Sequence, residues 1–225
     1  FINKNLIHNI ESEKPIIYFP LQIQPESSTL IAAPEYANQV ETVTNIAKSL
    51  PTGYELYVKE HPISAFRDWR PIHDYEAMMK LPNVKLIHPS VKAHELIKKS
   101  SLVITISSTS ALEAAFLNKP SIVFADVDYS ILPSVHKINS IDELPHAIKS
   151  SLKKEVNHSD LNHYINLIEA NSFELNWDDL DADFNHNFHY GGFLADVEIP
   201  IDKMRLFLER HNADFDKIAV ECIKK

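Results

Sequence analysis

Short apolar runs rich in β-branched and aromatic residues alternate with helical patterns along the first two thirds of the chain, and this alternation restricts the fold more than any other feature. Residues 16–21 (Ile-Ile-Tyr-Phe-Pro-Leu), 55–59, 83–87, 102–106 and 121–125 read as strands. Between them, residues 36–50 carry Val40, Val43, Ile46, Ala47 and Leu50 at the spacing of a buried helical face, and residues 74–80, 94–100 and 110–117 read as further helices. Pro51, Thr52 and Gly53 end the first helix, and Asn118 and Pro120 mark the turn before the last strand. A strand that always hands over to a helix cannot pair with its successor through a hairpin. The pattern therefore predicts an α/β layer over residues 1–154, a Rossmann-like parallel sheet with helices on both faces and right-handed crossovers.

From residue 155 onward the character changes. Residues 159–172 and 202–210 read as helices, the second with Met204, Leu206 and Phe207 on its apolar side. Residues 177–184 are acidic and aromatic, and residues 190–193 read as a glycine turn. Residues 155–225 are expected to form a helical C-terminal appendage.

Composition narrows the function. A hydrophobic content of 44% over 225 residues is enough for a proper core, and a formal charge of −9 argues against broad electrostatic binding of nucleic acid. No apolar run approaches the ~20 residues needed to span a bilayer, and no signal peptide is recognisable, so a cytoplasmic location is expected. The single cysteine, Cys222, excludes an internal disulfide and any zinc cage built on cysteines. Phe1 stands where a methionine would open a complete chain, which suggests a fragment of a longer protein.

Only Gly53, Gly191 and Gly192 are glycines, and neither Gly-x-Gly-x-x-Gly nor Gly-x-x-x-x-Gly-Lys can be written with them. A nucleotide would have to be held by hydroxyls, side-chain cations and helix termini. Ser107, Ser108, Thr109 and Ser110 supply four consecutive hydroxyls between the strand at 102–106 and the helix that follows. Free amides and the positive end of a helix dipole meet there, which suits an anion; the plainer alternative is that one serine caps the helix. Lys59 and His61 sit at another strand end, where a point charge and a directional N–H can face one phosphate oxygen, although such a lysine is usually only solvated. Glu113 either completes a capping box with Ser110 or accepts bonds from ribose hydroxyls. Gln22, Gln24 and Glu26 would point the same way in an extended loop after the first strand and could read a base or a sugar, unless the loop is merely polar. All three groups fall on the carboxyl edge of the expected sheet, where open α/β sheets bind ligands. The histidines show no metal-ligand spacing, so no metal is expected.

Three runs in this order and spacing, Tyr18-Phe-Pro-Leu-Gln-Ile-Gln-Pro-Glu-Ser-Ser, Tyr54-Glu-Leu-Tyr-Val-Lys-Glu-His-Pro and Ile104-Thr-Ile-Ser-Ser-Thr-Ser-Ala-Leu-Glu-Ala, resemble the capsular polysaccharide biosynthesis glycosyltransferases, most closely the bacterial 3-deoxy-manno-octulosonic acid (Kdo) transferase type. The resemblance covers residues 15–150. It implies the C-terminal, nucleotide-sugar-binding half of a GT-B fold, with the Gln-x-Gln-Pro-Glu loop near the donor, Lys59 and His61 near its phosphate as catalytic residues, and Ser107, Ser108 and Glu113 around phosphate and ribose. By the same resemblance the donor is a nucleotide-sugar, first of all a CMP-linked acidic sugar, no cofactor is needed, and the acceptor is a surface polysaccharide or glycolipid. Family members also carry an N-terminal acceptor domain with an Asp-x-His motif, which does not occur here. A missing domain of that kind could place the enzyme at the membrane surface. The alternatives are a sugar-nucleotide epimerase or polyol-phosphate transferase of similar fold, and a non-catalytic nucleotide-sugar-binding module.

Overall fold

A computed structural model describes residues 1–65, 69–188 and 198–224. Six parallel strands, β1 (Ile16–Pro20), β2 (Glu55–Lys59), β3 (Val84–Ile87), β4 (Ser100–Thr105), β5 (Ser121–Val123) and β6 (Val135–Lys137), form one sheet in the order β3-β2-β1-β4-β5-β6. The order reverses between β1 and β4. Helices α1 (Ile2–Asn5) and α2 (Ser27–Leu30) are single turns, followed by α3 (Gln39–Ser49), α4 (Ile72–Met79), α5 (Ala93–Lys99), α6 (Ser110–Phe116), α7 (Leu144–Ser151), α8 (His158–Asn171), α9 (Trp177–Phe188), α10 (Ile201–Arg210) and α11 (Asn212–Ile223).

The pleat divides the strand residues between two apolar layers. Ile17 and Phe19 of β1 join Leu56, Val58, Leu102 and Ile104 on the face covered by α3, α4 and α7. Ile16 and Tyr18 join Tyr57 and Val103 on the face covered by Leu96 and Ile97 of α5 and Ala114 of α6. Covered on both sides, every residue of β1 is buried, which is why its sequence is a continuous apolar run rather than an alternation.

The structure corrects several boundaries. A sixth strand, β6, extends the sheet beyond the five expected; it is only Val-His-Lys at the edge, and its half-buried His136 and Lys137 leave no apolar run to notice. At the opposite edge Ile7 pairs with β3 through single bonds from its N–H to the Leu86 carbonyl and from the His88 N–H to its own carbonyl. The helix read from residue 36 begins at Gln39, because Asn38 caps it by accepting the Glu41 N–H at 3.2 Å. α6 stops where Asn118 takes φ 58° and the Lys119 N–H reaches back to the Ala114 carbonyl, a Schellman-type ending.

The chain divides into two compact units, Phe1–Ile165 and Asn166–Lys225. In the second, Leu180 and Phe188 of α9 pack with Phe207 of α10, and α11 is a helix the sequence reading did not anticipate. The glycine turn expected at residues 190–193 lies outside the described residues. Among the described residues no helix is long and apolar enough to cross a membrane.

Candidate functional site

At the carboxyl edge of the sheet, beside the β1/β4 reversal, lies a cavity of about 430 Å³. Its floor is the ends of β1 and β2, with Tyr18, Pro20 and Lys59. Four loops wall it: Leu21 to Glu26 after β1, Glu60 to Pro62 after β2, Pro89 to Ala93 after β3, and Ser108 to Ser110 after β4, with Glu113 one turn into α6. Of the residues singled out from sequence, Lys59, His61, Gln22, Glu26, Ser108, Thr109, Ser110 and Glu113 line this one cavity, and Gln24 and Ser107 do not.

Lys59 is the last residue of β2 and only 4% exposed. Its Nζ lies 3.3 Å from the Glu60 carbonyl and forms no salt bridge with any described carboxylate. Burial pushes its pKa below the ordinary 10.5, and the nearby Glu60 charge opposes that shift. A buried ammonium without a carboxylate partner is costly, and an anion entering the cavity would relieve that cost. His61 Nδ1 accepts the Ile63 N–H at 3.2 Å, so the neutral ring carries its proton on Nε2. Burial and then Lys59 lower the His61 pKa below 6.5, with Glu26 and Glu60 pulling the other way, which keeps the ring neutral at neutral pH.

Glu60, between these two, is only 1% exposed, and both its carboxylate oxygens are taken up by the protein. Its Oε1 accepts the His61 N–H at 2.7 Å and the Ser64 hydroxyl at 3.1 Å, while its Oε2 accepts Arg70 Nε at 3.0 Å and the Tyr75 hydroxyl at 2.6 Å. Burial, then the Glu60 charge and that hydrogen bond, push the Tyr75 pKa far upward. Sequence reasoning missed Glu60 and Arg70. Strand alternation alone would have placed Glu60 on the face opposite Lys59, but nothing local marks Arg70 as its partner.

The loop after β1 does not stay extended. Gln22 is held by Gln39, whose Oε1 accepts the Gln22 N–H at 2.7 Å and whose Nε2 donates to the Gln22 carbonyl at 3.0 Å. The Gln24 side chain turns outward, donating to the Ala37 carbonyl at 2.6 Å and accepting from Arg70 at 3.3 Å. The expected common face of Gln22, Gln24 and Glu26 is therefore reduced to Gln22 and Glu26.

The hydroxyl run forms a turn braced from both sides. Thr105 Oγ1 accepts the Ser108 N–H at 3.2 Å, and the Tyr129 hydroxyl lies 2.7 Å from the Ser108 carbonyl and 3.2 Å from that of Ser107. Ser108 Oγ accepts the Ser110 N–H at 3.2 Å. Ser107 Oγ is buried without a partner among the described residues. The capping box between Ser110 and Glu113 does not form: Thr109 is the N-cap, which puts Glu113 a position too far along, and among the described residues its carboxylate is hydrogen-bonded only by the Thr109 hydroxyl, at 3.4 Å. Glu113 is thus left exposed at the cavity wall, able to accept from a ligand hydroxyl. Among the described residues no group of three His, Cys, Asp or Glu side chains could hold a metal ion.

The model of the capsule polysaccharide biosynthesis protein family matches residues 2–171. No curated protein matches the sequence. Among solved structures, the chain is similar to a UDP-GlcNAc 2-epimerase of Methanocaldococcus jannaschii in complex with UDP-GlcNAc and UDP, at 16% identity and TM-score 0.47, over 64% of this chain and 40% of that one. It is also similar to a β Kdo 2,7 transferase of Thermosulfurimonas dismutans KpsC, at 16% identity and TM-score 0.46, over 71% and 57%. For the β Kdo 2,4 transferase of the same protein the identity is 20% and the TM-score 0.43, over 72% and 56%. The chain thus spans well under two thirds of the length of each of these proteins. The family match takes in every strand of the sheet and every wall of the cavity, and the chain belongs to the capsule polysaccharide biosynthesis family.

Proposed function

We propose that the chain is the donor-binding part of a glycosyltransferase that moves a sugar from a nucleotide-sugar, first of all a CMP-linked acidic sugar, to a bacterial surface polysaccharide or glycolipid in the cytoplasm. The observation that carries this reading is the buried Lys59, unpaired with any described carboxylate, in one cavity with His61 and the hydroxyl-rich opening of α6. Such a set is suited to a phosphate that becomes more negative as its bond to the sugar breaks. The ammonium, the Nε2–H of His61 and the hydroxyls of Ser108 and Ser110 would lower that barrier by stabilising the departing charge. Glu113 and Glu26 would accept from ribose or sugar hydroxyls, and the acceptor would be held by other parts of the enzyme.

Isothermal titration with CMP, UDP and GDP tests this. Binding of one nucleotide, preferably CMP, is expected, with affinity falling at least tenfold in Lys59→Ala and clearly in Ser108→Ala. Absence of binding by all three would sink the reading, and epimerisation of UDP-N-acetylglucosamine would replace it with the isomerase alternative.

A further inference from the structure

Of the described tyrosines five are buried, and four of these donate their hydroxyl to the protein: Tyr57 to the Glu11 carbonyl, Tyr75 to Glu60, Tyr129 to the Ser108 carbonyl and Tyr164 to Asp128. The exception is Tyr18. It is 1% exposed, it lines the cavity floor, and among the described residues its hydroxyl has no hydrogen-bond partner. The hydroxyl is not one of the fully enclosed unpartnered atoms, so it opens onto the cavity, where a ligand can supply the acceptor that the protein does not.

The strand register fixes how deep the Tyr18 backbone sits. Pro20 pairs with Lys59 and Tyr18 with Tyr57, so Tyr18 lies two residues behind the strand ends, about 7 Å further in than the level of Lys59. Tyr18, Pro20, Tyr57 and Lys59 share one face of the sheet, the face on which α5 and α6 pack. The cavity thus has a charged rim, with Lys59, His61 and the start of α6, and behind it Tyr18, whose apolar cluster Val91 of the cavity wall packs against. Glu113 acts on the same hydroxyl: burial first, then this carboxylate, push its pKa far above 10, so it remains a neutral donor. A carboxylate nearby also repels an anion from the inner end.

We infer that Tyr18 is a ligand-contacting residue, its hydroxyl donating to a neutral oxygen or nitrogen of the nucleoside while the phosphates stay at the rim. This rests on the nucleotide-sugar reading and adds to it an orientation of the ligand, nucleoside inward.

Tyr18→Phe removes one oxygen and leaves the ring. With the whole 225-residue chain, titrate the tightest-binding nucleotide of CMP, UDP and GDP, its nucleoside and inorganic pyrophosphate, and measure the melting temperature without ligand. Tyr18→Phe is expected to weaken nucleotide and nucleoside by the same factor, about 3- to 30-fold, to leave pyrophosphate unchanged and to melt no lower than wild type. A lower melting temperature would mean that the hydroxyl serves the fold, and an equal loss for pyrophosphate would place it against phosphate; either overturns the assignment. Unchanged nucleoside affinity overturns Tyr18 alone. Failure of the wild-type protein to bind any nucleotide removes the donor reading and Tyr18 with it.

Discussion

Arg70 Nε sits 3.0 Å from Glu60 Oε2 in a region where the Glu60 side chain is 1% exposed and that of Arg70 12%. The same guanidinium extends to the side-chain oxygen of Gln24 and to the carbonyl of Gln22. One planar group therefore fastens the loop after β1 to the loop after β2, the two walls between which Lys59 opens into the cavity.

Breaking this pair should cost stability. Arg70→Met strands a buried carboxylate, and a loss of about 3 kcal/mol is expected in urea unfolding. Arg70→Lys keeps the charge but not the fork, so it should recover only part of that loss. A loss below about 0.5 kcal/mol for the methionine variant, the range of ordinary surface changes, would show that Glu60 is satisfied without Arg70.

Lys59 makes stability and anion binding respond to pH in opposite directions. Its folded pKa is lowered from 10.5, so the folded state binds fewer protons than the unfolded state between those two values. Stability then rises as pH climbs through the folded value, while affinity for inorganic phosphate falls as the ammonium is lost. Lys59→Met should flatten both profiles, remain at least as stable as wild type at neutral pH, and bind phosphate at least tenfold more weakly. Parallel rather than opposed trends in the wild-type protein would contradict the account.

In the second unit, His211 closes α10 with Nε2 2.9 Å from Asp183 Oδ2 and Nδ1 3.2 Å from Asp214 Oδ2. Asp183 also pairs with Arg210. A ring that donates to a carboxylate from each nitrogen is an imidazolium, and the hydrogen bond to Asp183, above all, raises its pKa above 6.5. This stabilisation is complete below 6.5 and is lost as pH rises through the folded value. Hydrogen exchange in α9 and α11, corrected for intrinsic rates, should therefore accelerate across that window, and His211→Phe should remove the pH dependence. Equal acceleration in wild type and variant would rule out the histidine as its source.

The parallel sheet could be read from the sequence because burial on both faces leaves a direct mark, as in Ile16 to Pro20, whereas β6 left none. The strand-end position of Lys59 and His61 and the hydroxyl run before α6 were legible for a similar reason, since each depends on neighbours within one turn. What fixes them is not local. Glu60 is satisfied by Arg70 and Tyr75, ten and fifteen residues on, and the serine turn is braced by Tyr129, 21 residues beyond Ser108. Gln24 was misplaced because alternation presumes an extended chain, and this one coils into α2 within a few residues.

Asn118 and Gly53 are the described residues with positive φ, and neither is in the serine turn. Residues 107–110 therefore use torsions open to any L-amino acid, and their shape is held from outside by Thr105 and Tyr129 and from within by Ser108 Oγ on the Ser110 N–H. A glycine loop of the usual kind penalises almost every replacement through its backbone. Here a replacement meets no such backbone penalty, so descendants of this scaffold can drift toward new ligands wherever the lost side chain was not itself holding the turn.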